Sequence, residues 1–306
     1  MEKFDNKKTI YLIDTYNLIF RAHFSFAARP LMTTYNMHIS AVYGFLNMLH
    51  KILNDYEPVY IACVHDTGEK TFRDEIYPEY KAHRPECPAE LIPQFQVVFD
   101  FIDALGIKRL SQPGLEADDV IGTLCQKASE NGFFVKIISS DRDLFQLISD
   151  KVRMICLKKG ITEIVEYDEK ELKNDLGIGP DQVVDYKALV GDPSDNIPGI
   201  HGIGPKSAVE LLAKYKNLDG IFEVLPKIGG KREELLRTGR DMAYLSQKLA
   251  KIKCDADINC ELESLAEMNV NSETLGALCE KYEQRKMLEK YRKYFDKRSD
   301  FFYGNI

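Results

Sequence analysis

Three short apolar runs, each followed closely by an aspartate, constrain this chain more than any other feature. Residues 9–13 lead to Asp14, 59–64 to Asp66 and 134–139 to Asp141, and the stretch 41–53 between the first two has apolar residues at helical spacing. Apolar runs of strand length alternating with helical patterns read as β-α-β units. A short strand at 107–110 and a helix at 117–129 extend the series. The expectation is an α/β fold built on a parallel, doubly wound sheet. In such sheets ligands bind in the crevice beyond the carboxyl ends of the strands, which is where these acids fall.

Nine acids occupy positions that this sheet would gather at one edge: Asp14, Asp66, Glu116, Asp118, Asp119, Asp141, Asp143, Asp192 and Asp195. Singly, Asp118 or Asp141 needs no function, because acids cap helix N-termini and complement the helix dipole. Collectively that reading fails. Carboxylates packed within a few ångströms raise one another's pKa and destabilise the fold unless cations neutralise them. Oxygen donors with no Cys or His among them favour hard ions, Mg²⁺ with Mn²⁺ as a substitute, over zinc. Two such ions about 4 Å apart can activate a water and stabilise the departing oxygen of a phosphodiester, with no protein nucleophile.

Composition narrows the classes. A chain of 306 residues with 44% hydrophobic content can bury one large core, or one core and a smaller appended domain. Its seven cysteines are odd in number, scattered and without a C-x-x-C pair, which speaks against zinc or redox sites and for a reducing, cytoplasmic setting. The apolar stretch 10–20 is broken by Asp14 and Asn17, too short and too polar for a signal peptide or membrane span. The formal charge of -7 argues against nucleic acid, whose binders usually carry a basic footprint.

Between 67 and 93 the chain is polar, rich in Tyr, Arg, Lys and Pro, and without an apolar period long enough for a core helix. It reads as a mobile loop or arch. Lys81 and Arg84 within it share a face if that stretch is helical. From about 193 the chain turns Gly-rich, and Pro198, Gly199, Gly202, Gly204 and Pro205 punctuate a tight turn before a helix at 206–215. The expected division is an α/β domain over 1–190, arch included, and an all-helical domain over 191–306. The stretch 281–298 carries eight Lys or Arg against three acids and reads as a solvated helix face.

The motifs together resemble the 5' nuclease family, the flap endonucleases and the 5'-3' exonuclease domain of bacterial DNA polymerase I. The resemblance rests on Ile13-Asp14 with Arg21-Ala22, on residues 41–45, on Asp66 with Thr71-Phe72-Arg73, Tyr77, Tyr80-Lys81 and Arg84, and on 114–120, 140–144 and 191–199. It implies a PIN-like 5' nuclease fold with a helical arch and an appended helix-hairpin-helix domain. Asp14, Asp66, Glu116 and Asp118 would then hold one Mg²⁺, and Asp141, Asp143, Asp192 and Asp195 a second, with Asp119 near both.

The same resemblance puts Lys81 and Arg84 at the base of the arch, reaching the scissile phosphate beside the catalytic Asp118. Cations there stabilise charge developing on phosphate oxygens, and a guanidinium can do so through two hydrogen bonds. Phe20 and Arg21 match positions that stack on the terminal base and grip its backbone; the plainer reading of Phe20 is core packing. Arg73 is expected either to contact phosphate or to brace the arch against Glu75 or Glu79. Gly202, Gly204 and Lys206 belong to the helix-hairpin-helix turn, whose exposed amides bind duplex phosphates, with K⁺ as an accompanying ion.

Two positions depart from the family pattern. His65 stands where an aromatic is common and is expected in the core or supporting the site, and Thr15 stands where glycine is common. The expected activity is hydrolysis at DNA 5' ends, flaps and nicks by a monomer without a membrane partner, with an RNA primer in an RNA–DNA hybrid as a further substrate. A DNA-binding paralogue without cleavage would lack metal acids, and a PIN-like ribonuclease would lack the glycine turn; both features are present. The 306 residues contain no polymerase region, and whether the chain stands alone or belongs to a polymerase I stays open.

Overall fold

The computed structural model describes residues 5–158, 163–266 and 268–303. The strands are β1 (Thr9–Asp14), β2 (Tyr60–Val64), β3 (Lys108–Leu110), β4 (Phe134–Ile138), β5 (Val152–Leu157) and β6 (Ile164–Tyr167). They form one sheet in the order β3-β2-β1-β4-β5-β6, in which β1 to β5 run parallel and β6 pairs antiparallel with β5. The helices of the first half are α1 (Thr15–Ser25), α2 (Ser40–Tyr56), α3 (Phe72–Ile76), α4 (Ile92–Ala104), α5 (Ala117–Glu130) and α6 (Glu169–Leu176). Those of the second are α7 (Val183–Val190), α8 (Pro205–Tyr215), α9 (Leu218–Glu223), α10 (Leu225–Ile228), α11 (Gly230–Thr238), α12 (Arg240–Ala250), α13 (Ser272–Lys281) and α14 (Arg285–Tyr303).

Every residue of β1 is buried, because helices cover both faces of the sheet. Its side chains alternate between two cores. Ile10 and Leu12 pack with α5 and the helical region that follows, whereas Tyr11 and Ile13 pack with α1, α2 and α4. The short links between strands and helices aim the carboxyl ends of β1, β2 and β4 at a common edge.

The last helices depart from the expected division. α8 to α12 contribute to the core on the α5 face, but α13 and α14 cross to the other face, where Met287, Tyr291 and Tyr294 join the core of α2 and α4. Those three residues stand at i, i+4 and i+7 and form an apolar stripe that needs a partner. The Tyr291 hydroxyl donates to the Leu46 carbonyl at 2.9 Å. The opposite face of α14 exposes Arg285, Lys286, Arg292 and Lys293.

The arch segment is not one helix. α3, closed by a capping box of Thr71 and Asp74, is followed by successive turns, and Lys81 has a φ of 55°. Tyr77 and Tyr80 fix this segment in a small core of their own with Ile197, Leu249 and Ala250. Among the described residues no helix is long and apolar enough to cross a membrane.

Candidate functional site

Eight of the nine acids line two adjoining pockets at the carboxyl edge. Asp14, Asp66, Glu116, Asp118, Asp141 and Asp195 line a pocket of about 630 Å³, walled on one side by Lys81 and Arg84 and on the other by Tyr16, Phe20, Arg21 and Phe24. Asp141 and Asp195 also line the second, of about 600 Å³, with Asp143, Asp192 and Lys187. Only the fold unites these residues, since they come from segments as far apart as 14 and 195.

Capping and clustering turn out to be the same geometry. Asp14 ends β1 and caps α1, accepting from the Asn17 amide at 3.2 Å and the Ser139 hydroxyl at 2.7 Å. Glu116 is the N-cap of α5, and Asp66 accepts from the Ala117 amide at 2.7 Å in the first turn of that helix. Asp141 caps the 3-10 turn Arg142–Leu147 through the Asp143 amide at 2.9 Å. Backbone amides thus fix the carboxylates of Asp14, Asp66 and Asp141 in place.

Charge repulsion at this edge is only partly relieved. Burial, with Asp141 and Asp66 adding to it, pushes the Asp14 carboxyl up to about 7 despite its hydrogen bonds to Ser139 and Asn17. Burial, then Asp141 and Asp14, raises Asp118 well above the carboxylate range. Asp141 is also raised, by burial foremost, against the opposing effect of Lys187. Burial would raise Asp192 too, but Lys187 and Ser194 hold it below its ordinary value.

Three cations and one tyrosine tie the remaining acids. Lys81 Nζ meets Glu116 Oε1 at 2.6 Å and Asp195 Oδ2 at 3.7 Å, and Arg84 Nη2 meets Asp195 Oδ1 at 2.6 Å. Lys187 Nζ bridges Asp143 and Asp192, the latter at 2.6 Å. The buried Tyr80 hydroxyl lies 3.1 Å from Glu116 and 3.2 Å from Asp195. Although burial disfavours its charge, the Lys81 ammonium is raised in pKa by Glu116 and Asp195. Among the described residues no three acid, His or Cys side chains close around a single point; the acids ring open space.

Two assignments made from sequence need correction. Asp119 is fully buried behind the pocket, and its two oxygens receive Arg73 Nη1 at 2.7 Å and Nη2 at 2.8 Å, with the Lys253 amide at 2.9 Å. It lines neither of the two acid pockets, and both its oxygens are paired with the guanidinium. Arg73 is only 2% exposed, so it reaches no DNA, and its partner is Asp119 rather than Glu75 or Glu79. The expectation failed because the capping box of α5 turns its third residue, Asp119, inward while Asp118 faces out.

The other candidates divide by location. Phe20 and Arg21 are half-buried on the pocket wall, with Phe20 stacked on Phe24 at 6.4 Å between ring centres. Lys81 and Arg84 do meet at the acids, but through turns instead of one helix face. Gly202, Gly204 and Lys206 lie outside the first pocket, on the exposed approach to α8. A side chain on Gly204 would touch nothing within the chain, and its φ is ordinary, so no internal packing demands glycine there. His65 packs its ring on Phe99 at 4.7 Å, and Thr15 is buried at the start of α1.

Sequence reasoning assigned no role to Phe24, Tyr80 or Lys187. Phe24 is 59% exposed although it lines the acid pocket. Spacing alone could have found it, since Tyr16, Phe20 and Phe24 recur at i, i+4 and i+8. Lys187 carried no such signal, being one lysine on a short, mostly apolar helix.

Residues 9–177 match the family described as 5'-3' exonuclease, N-terminal resolvase-like domain, and 178–273 match 5'-3' exonuclease, C-terminal SAM fold. The chain is 37% identical over 288 residues to the 5'-3' exonuclease of Aquifex aeolicus, covering 94% of this chain and 96% of that protein. It is 41% identical over 286 residues to DNA polymerase I of Bacillus caldotenax, where 93% of this chain matches but only 32% of the relative, so the chain spans about a third of that polymerase. A T5 flap endonuclease solved with DNA and metal ions has the same fold, with a TM-score of 0.65 at 22% identity over 90% of this chain and 99% of that one.

Proposed function

Because the chain belongs to the 5'-3' exonuclease family, we propose that it is a structure-specific nuclease that hydrolyses DNA phosphodiester bonds at 5' ends and 5' flaps, in replication and repair. The observation that carries this reading is the convergence of Asp14, Asp66, Glu116, Asp118, Asp141 and Asp195 on one pocket under Lys81 and Arg84. Similarity to a flap endonuclease solved with DNA and metal ions supports it.

The donor set fits divalent metal. All donors are oxygens, and the raised carboxyls of Asp14, Asp118 and Asp141 mark buried negative charge for which the chain supplies too little cation. Asp14, Asp66, Glu116 and Asp118 would hold one ion, and Asp141, Asp143, Asp192 and Asp195 a second. Bound ions would supply Lewis acidity and a water ionised near neutral pH.

The chain's own residues do the rest. A substrate phosphate competes with Glu116 and Asp195 for Lys81 and Arg84, so these cations are already aimed where phosphoryl charge accumulates. Phe20 offers a face for a terminal base, a contact worth about 1 to 3 kcal/mol and indifferent to sequence. The free amides at the start of α8 and the Lys206 ammonium suit duplex phosphates. Finer points of the same reading are Mg²⁺ replaceable by Mn²⁺, K⁺ at the 199–204 turn, RNA–DNA hybrids as further substrates, and a monomeric, cytoplasmic enzyme.

The test is a 5'-labelled flap duplex incubated with Mg²⁺, with EDTA, and with the Asp118→Ala variant. Cleavage is expected only with wild type and Mg²⁺. Equal cleavage by the variant would remove the metal assignment, and cutting confined to an RNA flap would replace the substrate.

A further inference from the structure

One helix carries both the arch and the glycine turn. At the start of α12, Gly239 leaves room for Ile200, since a Cβ there would come within 2.6 Å of the Ile200 side chain. In its middle the fully buried Ser246 hydroxyl accepts from the Gly199 amide at 3.0 Å. At its end Leu249 and Ala250 form the small core that seats Tyr77 and Tyr80, and Arg73 donates to the carbonyls of Leu249 and Lys251 at 2.9 Å each. The last carbonyls of a helix have no partner within it, so Arg73 fills a need that α12 creates.

A second connection runs beside the first. The Lys81 amide donates to the Asp195 carbonyl at 2.9 Å, and the Asn196 side chain donates to the Glu79 carbonyl at 2.6 Å. Ile197 then enters the same small core as Tyr80. The turn at 199–204 and the arch at 77–84 therefore share buried side chains and hydrogen bonds, although neither belongs to the other's stretch of chain.

We propose that α12 is the spacer that sets which phosphodiester bond reaches Lys81, by holding the duplex-side turn at a fixed distance from the arch. Ser246 and Leu249 are its positioning residues: Ser246 fastens the turn, Leu249 the arch. The proposal rests on the reading of the chain as a flap nuclease, and adds that the cut is placed by measuring from bound duplex. Misplacing a reacting group by about 1 Å costs a large factor in rate, so a loosened mount lets neighbouring bonds compete. Both residues are buried, and the exposed duplex contacts of Gly202, Gly204 and Lys206 are kept in either variant, so affinity for duplex is not expected to change.

The experiment maps cut positions at nucleotide resolution on a 5'-flap duplex with Mg²⁺, for wild type, Leu249→Ala, Leu249→Ile and Ser246→Ala, alongside binding in Ca²⁺ by fluorescence anisotropy. Wild type is expected to cut at one dominant position. Leu249→Ala and Ser246→Ala should spread the cuts over adjacent positions with affinity within twofold of wild type, and Leu249→Ile should restore the single position. A variant that is merely less stable yields less product at the same position; that pattern in both alanine variants overturns the proposal. Should Leu249→Ala fail to fold, Ser246→Ala decides alone. No cutting by wild type would instead remove the nuclease reading itself.

Discussion

Replacing Arg73 by methionine should unfold much of this chain's margin of stability without touching its DNA contacts. The guanidinium makes five polar contacts: two to Asp119, one each to the carbonyls of Leu249 and Lys251, and a longer one of 3.4 Å to Glu116. Arg73→Met keeps most of the packing volume but leaves a fully buried carboxylate with only the amides of Lys253 and Glu116. Breaking one side of such a pair costs about 3–5 kcal/mol. Natural domains hold only about 5–15 kcal/mol in total, so the loss is a large share.

Urea unfolding followed by far-UV circular dichroism measures this for Arg73→Met, Asp119→Leu and the double variant. The double should cost less than the sum of the singles by on the order of 2 kcal/mol, because it removes both charges together. A cost below about 1 kcal/mol for Arg73→Met would refute the reasoning. If the variant instead lost DNA affinity and flattened its salt dependence, the guanidinium would be on a phosphate, as the sequence reading allowed.

Lys81→Ala should lower the single-turnover cleavage rate at least tenfold with little change in duplex affinity measured in EDTA, and Lys206→Ala should do the reverse; similar behaviour in both would erase the division of roles. In EDTA the chain should be more stable near pH 5 than near pH 8. The folded Asp14 carboxyl titrates at about 7 against an ordinary 3.8, so its contribution is full below about 4 and is lost as pH rises through 7, with Asp118 and Asp141 acting in the same direction. Excess Mg²⁺ should shrink or reverse the difference in urea melts, and a metal-free protein that gained stability towards pH 8 would contradict it. Gly199→Ala should destabilise the chain by about 2 kcal/mol or more, since φ is 63° and a Cβ would come within 2.2 Å of the Gly191 nitrogen, whereas Gly204→Ala should leave urea stability unchanged.

What the sequence exposed and what it hid separate along a physical line. Strands β1 and β2 were legible because both their faces are buried and their apolar runs are continuous, and β4, although Lys136 breaks its run, because Asp141 follows it as Asp14 and Asp66 follow the other two. β5 and β6 were not, because Arg153 and Glu166 interrupt them, and those two residues pair with each other at 3.0 Å across the antiparallel ladder. The acids at strand ends were legible from position. Asp119 was misplaced because adjacent residues on a helix point about 100° apart, and nothing in the local sequence tells which of Asp118 and Asp119 faces a pocket. The return of α14 to the first core is a long-range event, set by where Tyr291 finds Leu46.

Net charge misled for a related reason. The value of -7 averages over the surface, whereas binding depends on where charge sits. Here many of the acids are withdrawn to one edge, and Lys81, Arg84 and Lys187 are drawn in after them as counterions. Each pair is exchangeable: a phosphate can take the cation only if something else neutralises the carboxylate it leaves, since an unpaired charge in a buried pocket is costly. The arch cations and the acids are thus bound to a shared condition. Substrate alone would strand Glu116 and Asp195, and divalent cation alone would strand Lys81 and Arg84, so the pocket favours taking both together. Binding of a flap duplex should accordingly tighten with Mg²⁺ or Ca²⁺ in wild type, and Lys81→Ala should weaken that dependence, which titrations by fluorescence anisotropy with and without the ion can measure. Equal affinity in EDTA and in Ca²⁺ for wild type would break the link between the two sets of charges.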